Sequence, residues 1–339
     1  MSELPQLDAD VAKWLLKILP DRDPATVDEA RQASRTSNAA ALELMDPTLM
    51  PASEEDTEVP ADADSAAIPI RVLRPAVDPD AAQRVVDRTP MATIVYFHGG
   101  GWVVGDLDTH LGHARRICTQ AHAVVVSVDY RRAPEHRFPA AFDDAVRATG
   151  WVAQRLAEFG GNDQLVVAGD SAGGQLAASV AIARRDAGQP LSGQLLLYPV
   201  TDVAGRYTDE QINAGYMSRW ASNSRFGLTL EGMINFAETY VNAEDAADWR
   251  VSPKRAADLH GVAPAVIHTS TLDVLRTEGN FYGDDLRAAG VDVISREHPS
   301  LNHSYFGMGG VSAVADAAAA QAAEDLLEVL GRNAARPPT

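Results

Sequence analysis

Residues 165–182 read LVVAGDSAGGQLAASVAI, an apolar β-branched run, a five-residue Gly-Asp-Ser-Ala-Gly turn, and an alanine-rich stretch with helical character. A serine placed between a strand and a helix in this way is forced out of the sheet on a sharp turn. The small residues two before and two after it, Gly169 and Gly173, let the arms of the turn approach each other. The helix behind Ser171 aims backbone N–H groups and the positive end of its dipole at the same spot. With 25 glycines in 339 residues, a lone Gly-x-Ser-x-Gly arises by chance in roughly 0.1 chains of this composition. The flanking strand and helix are therefore what give the motif its meaning, and both are present. A tight structural turn without chemistry is the plain alternative.

The pattern on either side is the same alternation repeated. Strands are expected at Ile68–Leu73, Thr93–Phe97, Val124–Val128, Leu165–Gly169, Gln194–Tyr198, Ala265–Thr269 and Val291–Arg296. Most of the middle ones are apolar on both faces, as in a sheet covered on both sides. Helical spacing occupies 109–121, 140–158, 172–187, 276–289 and 313–331. The fold class expected is α/β, a mostly parallel sheet flanked by helices. Residues 1–50 show a helical stripe of Val11, Trp14, Leu15 and Ile18 closed by Pro20, and are expected to be either part of a cap or a tail. Residues 51–66 (PASEEDTEVPADADSA) read as a solvated acidic connector. Residues 201–250 hold aromatics but no strand-like run, which predicts a helical insertion lying over the sheet edge. The division that follows is an N-terminal helical segment 1–50, a core 51–200, a cap insertion 201–250 and the rest of the core 251–339.

A second motif, His98-Gly99-Gly100-Gly101-Trp102, stands at the end of the strand TIVYF. Three successive glycines open backbone conformations closed to other residues and can turn N–H groups inward, as stabilising a developing oxyanion requires. The competing reading, a phosphate-cradling loop, lacks both a following Lys-Ser/Thr and a Gly-x-Gly-x-x-Gly spacing. A serine nucleophile needs a base, and the base an orienting carboxylate, in the chain order serine, acid, histidine. Asp273 follows the strand-like PAVIHT and His303 follows VDVISR, both at strand ends where open α/β sheets place ligands. Asp202 is a second choice for the acid, one strand early. Asp284 and Asp285 fall in a helical pattern and read as surface charges. His298 competes with His303 but sits so close to its strand that packing beside the sheet is expected.

Composition bounds the rest. A hydrophobic fraction of 46% and 22% charged residues exclude a mainly disordered chain. Forty-seven acidic against 29 basic residues, net −18, oppose binding to nucleic acid or anionic lipid, and no basic patch offsets them. One cysteine, Cys118, permits neither an internal disulfide nor a cysteine-based metal site, and no metal site is expected. Glu3, Asp8 and Asp10 precede the first apolar run and lysines interrupt it, the wrong charge order for a secretory signal. No apolar stretch reaches the length of a membrane span, so a cytoplasmic protein is expected.

Taken together, His98–Trp102, the stretch Asp129-Tyr130-Arg131-Arg132-Ala133-Pro134-Glu135-His136-Arg137-Phe138-Pro139-Ala140, and Gly169–Gly174 resemble the hormone-sensitive-lipase family of carboxylesterases, in its Gly-Asp-Ser-Ala-Gly branch. The resemblance covers roughly residues 65–335. It implies an α/β-hydrolase core, a cap built from the N-terminal helices and an insertion after Tyr198-Pro199, and hydrolysis of short-acyl or small aromatic esters. It implies Ser171 as nucleophile, Asp273 as acid, His303 as base, and the N–H groups of Gly100, Gly101 and Ala172 as oxyanion donors. His98, Gly99, Gly169, Asp170 and Gly173 would support those motifs. No cofactor is implied, the partner is a small-molecule ester, and dimers among similar bacterial proteins make a homodimer the expectation. The chain departs from the family pattern at Asp273-Val274-Leu275-Arg276-Thr277-Glu278-Gly279, where Asp-Pro-Leu-Arg-Asp-Glu-Gly is usual. It departs again after His303, where Ser304-Tyr305 replaces the usual Gly-Phe. Trp102, Tyr216 and Trp220 are expected to line an acyl pocket, against the alternative that they form core. Two rivals share the fold: an amide-cleaving hydrolase on the same triad, which sequence does not separate from an esterase, and a ligand-binding receptor, which His303 argues against.

Overall fold

The computed structural model describes residues 6–18, 24–63, 65–76, 91–220 and 226–334. Eight strands form one sheet: β1 Ser53–Val59, β2 Ile68–Arg74, β3 Thr93–Phe97, β4 Val124–Val128, β5 Leu165–Asp170, β6 Gly193–Leu197, β7 Ala265–Leu272 and β8 Val293–Asn302. Their order across the sheet is β1-β2-β4-β3-β5-β6-β7-β8. From β4 to β8 all neighbours are parallel, whereas β1 and β2 run antiparallel at one edge. The parallel strands thus deliver their C-terminal ends to a single sheet edge.

Why these segments pair follows from burial. Every residue of β3, β4, β5 and β6 is buried, so alternate side chains feed two separate cores. Val95, Phe97, Val126 and Val167 point into one, together with α4 Ala140–Ala153 and α6 Ala172–Asp186. Ile94, Tyr96, Val125 and Val166 point into the other, covered by α3 Leu111–Gln120 and α10 Ala313–Ala334. Each fully buried aliphatic side chain contributes about 1.5–3 kcal/mol, which makes both layers necessary to the sheet.

Two expectations need correction. The acidic connector is a strand: Ser53–Val59 pairs with β2 along its whole length. Six of its seven residues are exposed, and three glutamates and an aspartate among them mark an edge strand protected by charge rather than a solvated linker. The helix expected over 140–158 is two: α4 and, after a break at Gln154-Arg155, the short α5 Leu156–Phe159.

Before the sheet in the chain come α1 Ala9–Ile18 and α2 Val27–Glu43. Pro20, expected to end the first helix, lies outside the described residues. Residues 201–250 contain α7 Glu210–Ala214 and α8 Leu230–Tyr240 with short 3-10 turns and, among the described residues, no strand. The remaining helix, α9 Arg276–Ala288, links β7 to β8. Among the described residues no helix is long and apolar enough to cross a membrane.

Candidate active site

At the end of β5 the chain turns into α6 through Ser171, whose φ of 54° and ψ of −118° are closed to most L-residues. Such a conformation costs about 1–3 kcal/mol and survives only where its surroundings impose it. Here they do. The Ser171 N–H donates to the Leu197 carbonyl at 2.9 Å, and its own carbonyl accepts from Val200 and Gln175, each at 3.1 Å. A Cβ on Gly169 would run into the Gly173 backbone, and one on Gly173 into the Phe97 carbonyl. Both glycines are therefore required by close backbone approach.

The strand order carries the remaining groups to this turn. Asp273 follows β7 and His303 follows β8. His303 Nε2 lies 2.9 Å from Ser171 Oγ, and its Nδ1 lies 2.8 Å from Asp273 Oδ2. The other Asp273 oxygen accepts the Leu275 N–H at 2.9 Å, which fixes the carboxylate plane. With Nδ1–H donated to Asp273, Nε2 is left to accept the serine proton. All three side chains are buried, and the Tyr198 ring holds the imidazole edge-on at 4.9 Å between centroids. The rival groups lie elsewhere. His298 stays on β8, its Nε2 3.0 Å from His268 Nδ1, and Asp202 pairs with Arg255 at 2.8 Å and with the Tyr216 hydroxyl at 2.6 Å.

Because β3 and β5 are neighbours, the glycine loop abuts the serine turn. Gly100 and Gly101 have φ of 113° and 58°, left-handed values that glycine adopts without strain. A side chain at Gly100 would meet Val104, and one at Gly101 the ring of Phe236 from α8. His98 is fully buried; its Nδ1 lies 2.8 Å from the Gly99 carbonyl and its ring stacks on Tyr130 at 4.3 Å. Burial, reinforced by His110, pushes His98 down to about 3, so it is a neutral prop for the loop. Asp170 ties the two motifs together: its Oδ1 accepts the Gly99 N–H at 2.9 Å and the Tyr96 hydroxyl at 2.6 Å. Burial works to raise this carboxyl, but His110, His113 and Tyr96 facing it outweigh burial and hold it well below the usual carboxylate range. Ala172, buried, opens α6 directly behind the serine.

A cavity of about 380 Å³ opens onto Ser171, Gly100, Gly101 and His303. Trp14, Leu15 and Ile18 of α1, Ser34, Asn38 and Ala41 of α2, and Met233 and Phe236 of α8 line its other sides. The three aromatics expected there do not. Trp102 is fully buried beneath the loop, its Nε1 donating to Gln175 at 2.9 Å and its ring stacked on Tyr240. Tyr216 is buried against Arg219, with its hydroxyl given to Asp202. Trp220 is 54% exposed on the surface. Aromatic size predicts packing, but which core or face receives the ring depends on loop paths that leave no periodic signal. Of the helices that do line the cavity, only α1 showed an apolar stripe in the sequence, and such a stripe reads as ordinary packing.

The arrangement can move a serine proton to a histidine held by a carboxylate, beside a loop of glycine N–H groups, which is the equipment of acyl transfer. The comparisons agree. A family model described as the α/β hydrolase fold matches residues 94–307. The chain is 41% identical over 246 residues to the carboxylesterase NlhH of Mycobacterium tuberculosis, covering 70% of this chain and 71% of that one. It is 37% identical over 317 residues to the esterase LipI of the same organism, covering 91% of each. Among solved structures, a hyperthermophilic esterase from the archaeon Pyrobaculum calidifontis superposes with a TM-score of 0.82 at 31% identity, over 95% of this chain and 98% of that one.

Proposed function

The chain belongs to the α/β-hydrolase fold family and is a serine carboxylic ester hydrolase, and from that premise we propose that Ser171, Asp273 and His303 are its catalytic triad. The observation that carries the assignment is the continuous chain of contacts Ser171 Oγ to His303 Nε2 at 2.9 Å and His303 Nδ1 to Asp273 Oδ2 at 2.8 Å.

The mechanism follows from those contacts. His303 takes the Ser171 proton as the oxygen attacks the ester carbonyl carbon, and the carbonyl π pair moves onto oxygen. The N–H groups of Gly100, Gly101 and Ala172 hold that oxyanion, in a buried pocket where each donor is worth about 2.7–4 kcal/mol of barrier. Collapse of the tetrahedral species expels the alkoxide, which takes the proton from His303 and leaves as alcohol. A water then enters, gives its proton to His303 and hydrolyses the acyl-serine by the same sequence.

The substrates are small-molecule esters, and the cavity of about 380 Å³, enclosed by α1, α2 and α8, suits short acyl or small aromatic groups. We assign the two N-terminal helices and residues 201–250 together as the cap, because both supply its walls. A homodimer belongs to the same proposal, and light scattering on the purified protein tests it. The decisive experiment is hydrolysis of p-nitrophenyl esters from acetate to laurate by wild type and Ser171→Ala. Turnover highest on short chains in wild type and lost in the variant, by about 10⁶-fold, is expected. Equal turnover in both would show that another residue is the nucleophile.

A further inference from the structure

Behind the serine turn lies a second group of titratable side chains, outside the proposed triad: His110, His113 and Asp170. All three are buried, and one ligand-capable atom from each lies within 4.8 Å of the other two. His110 caps α3 and His113 stands three residues on, so the helix presents both rings on one side. Their ring centroids are 4.8 Å apart.

The spacing between His110 Nε2 and Asp170 Oδ2 is 3.6 Å. That is too long for a hydrogen bond. It is the separation of two atoms bound to one tetrahedral cation, roughly 3.3–3.6 Å for bonds of about 2.0–2.2 Å. The remote atom of each ligand is already engaged. Thr109 Oγ1 donates to the Asp106 carbonyl at 3.0 Å and lies 3.0 Å from His110 Nδ1, which leaves Nε2 as the ring nitrogen on the Asp170 side. Asp170 Oδ1 is taken by Tyr96 and Gly99, which leaves Oδ2. Such outer contacts orient ligands at metal centres. His113 adds the independent observation. Its ring is wedged beside Phe306 and under Gly307, and its buried Nε2 has no hydrogen-bond partner among the described residues. An imidazole nitrogen buried without a partner is unfavourable, and one nitrogen of this ring lies within 4.8 Å of the carboxylate and of the second imidazole.

We propose that His110, His113 and Asp170 form a three-ligand site for a borderline divalent cation of the Zn²⁺ class, with its fourth position open to the cavity that holds Ser171. Two imidazoles and one carboxylate select that class over Mg²⁺ or Ca²⁺, which prefer oxygen throughout. The three residues, with Ser171, border one cavity. The site does not depend on the triad assignment, because none of its ligand atoms is shared with Ser171, Asp273 or His303.

The test uses the full chain, stripped with chelator and titrated with Zn²⁺ by calorimetry, with metal content measured after gel filtration and Co²⁺ absorption as a reporter of four-coordinate N/O ligation. One ion per chain is expected. His113→Phe, which keeps the ring packing but has no ligand atom, is expected to weaken binding by at least about tenfold and remove the Co²⁺ bands. His110→Asn is the second variant, and thermal melts of both check that the chain folds. His260→Ala removes the exposed His260–Asp258 pair, 2.6 Å apart, and His303→Ala removes the triad imidazole. Loss of the ion in either of these with retention in His113→Phe overturns the proposal, as does failure of wild type to bind at all.

Discussion

Ser304 shows how closely local chemistry can be read and where reading stops. It stands at φ 65° and ψ 18°, in the left-handed region that glycine favours, immediately after His303. The glycine usual at this position is thus explained by backbone conformation, and serine holds the same conformation here without displacing the imidazole. The residues proposed as the triad were legible singly, because each occupies a strand end in a fixed order. The props were not: Tyr96, Tyr130, His110 and His113 meet the motif residues only through space. The same holds for His298 and His268, whose rings lie 5.1 Å apart beside β8. Burial first, and then the neighbouring His268, push His298 down to about 4 from 6.5, with Asp325, Arg296 and Glu297 the charged groups around it and Tyr305 against its ring. The unfolded chain therefore binds a proton between pH 6.5 and 4 that the folded chain refuses. The resulting stability is fully present above pH 6.5 and lost as pH falls toward 4, with a slope approaching 1.4 kcal/mol per pH unit, to order of magnitude. Urea unfolding at stepped pH checks this: His298→Gln should lower the slope between 6.5 and 4 by up to about 1.4 kcal/mol per pH unit, leaving the share that buried His98 contributes, and an unchanged slope would remove His298 from the account.

At the scale of elements, two arginines tie α2 to the core: Arg35, which donates to Asp106 at 3.1 Å, and Arg31. Arg31 grips Glu135 with two bonds of 2.8 and 2.7 Å and also donates to the carbonyls of Val103 and Ala133. It thereby clamps the helix onto the segment following the glycine loop. Arg31→Ala should loosen α1 and α2, raising KM for p-nitrophenyl butyrate about three- to tenfold with kcat nearly unchanged, since the triad is untouched. Limited proteolysis should cut the N-terminal fifty residues faster in the variant. α8 plays the opposite part, pressing Phe236 onto Gly101 inside the cavity. Phe236→Ala should shift relative kcat/KM toward longer acyl esters by about tenfold or more, read across the same ester series. The helical character of residues 1–50 and 201–250 was legible. Their placement was not, because an apolar stripe states that a face is buried without stating against what. The missed strand β1 has the converse cause: an edge strand needs apolar contact on few of its residues, so its charges conceal the pairing.

For the whole molecule, the joint that matters is buried between residues 201–220 and α9. Arg219 and Glu278 are 1% and 0% exposed and meet at 2.5 Å. The Glu278 carboxylate also accepts the Thr201 N–H and the Tyr207 hydroxyl. Glu278→Ala would leave a guanidinium buried without its counter-charge, at a cost of about 3–5 kcal/mol in unfolding free energy measured in urea. Together with Ser218, which bonds to Thr277 and the Val274 carbonyl, that carboxylate fastens the insertion to the helix that begins just after Asp273. The amino-acid sequence by itself determined the α/β class, the strands of the parallel sheet and the serine turn with the acid and histidine proposed to serve it. All of these follow from short-range rules: burial periodicity, glycine at close backbone approach, and the order of strand ends. Only the tertiary structure decided which helices wall the cavity, that Trp102, Tyr216 and Trp220 lie outside it, and that His110 and His113 converge on Asp170. Those facts depend on contacts between residues distant in the chain, where a side chain's neighbours are set by the paths of loops rather than by its own chemistry.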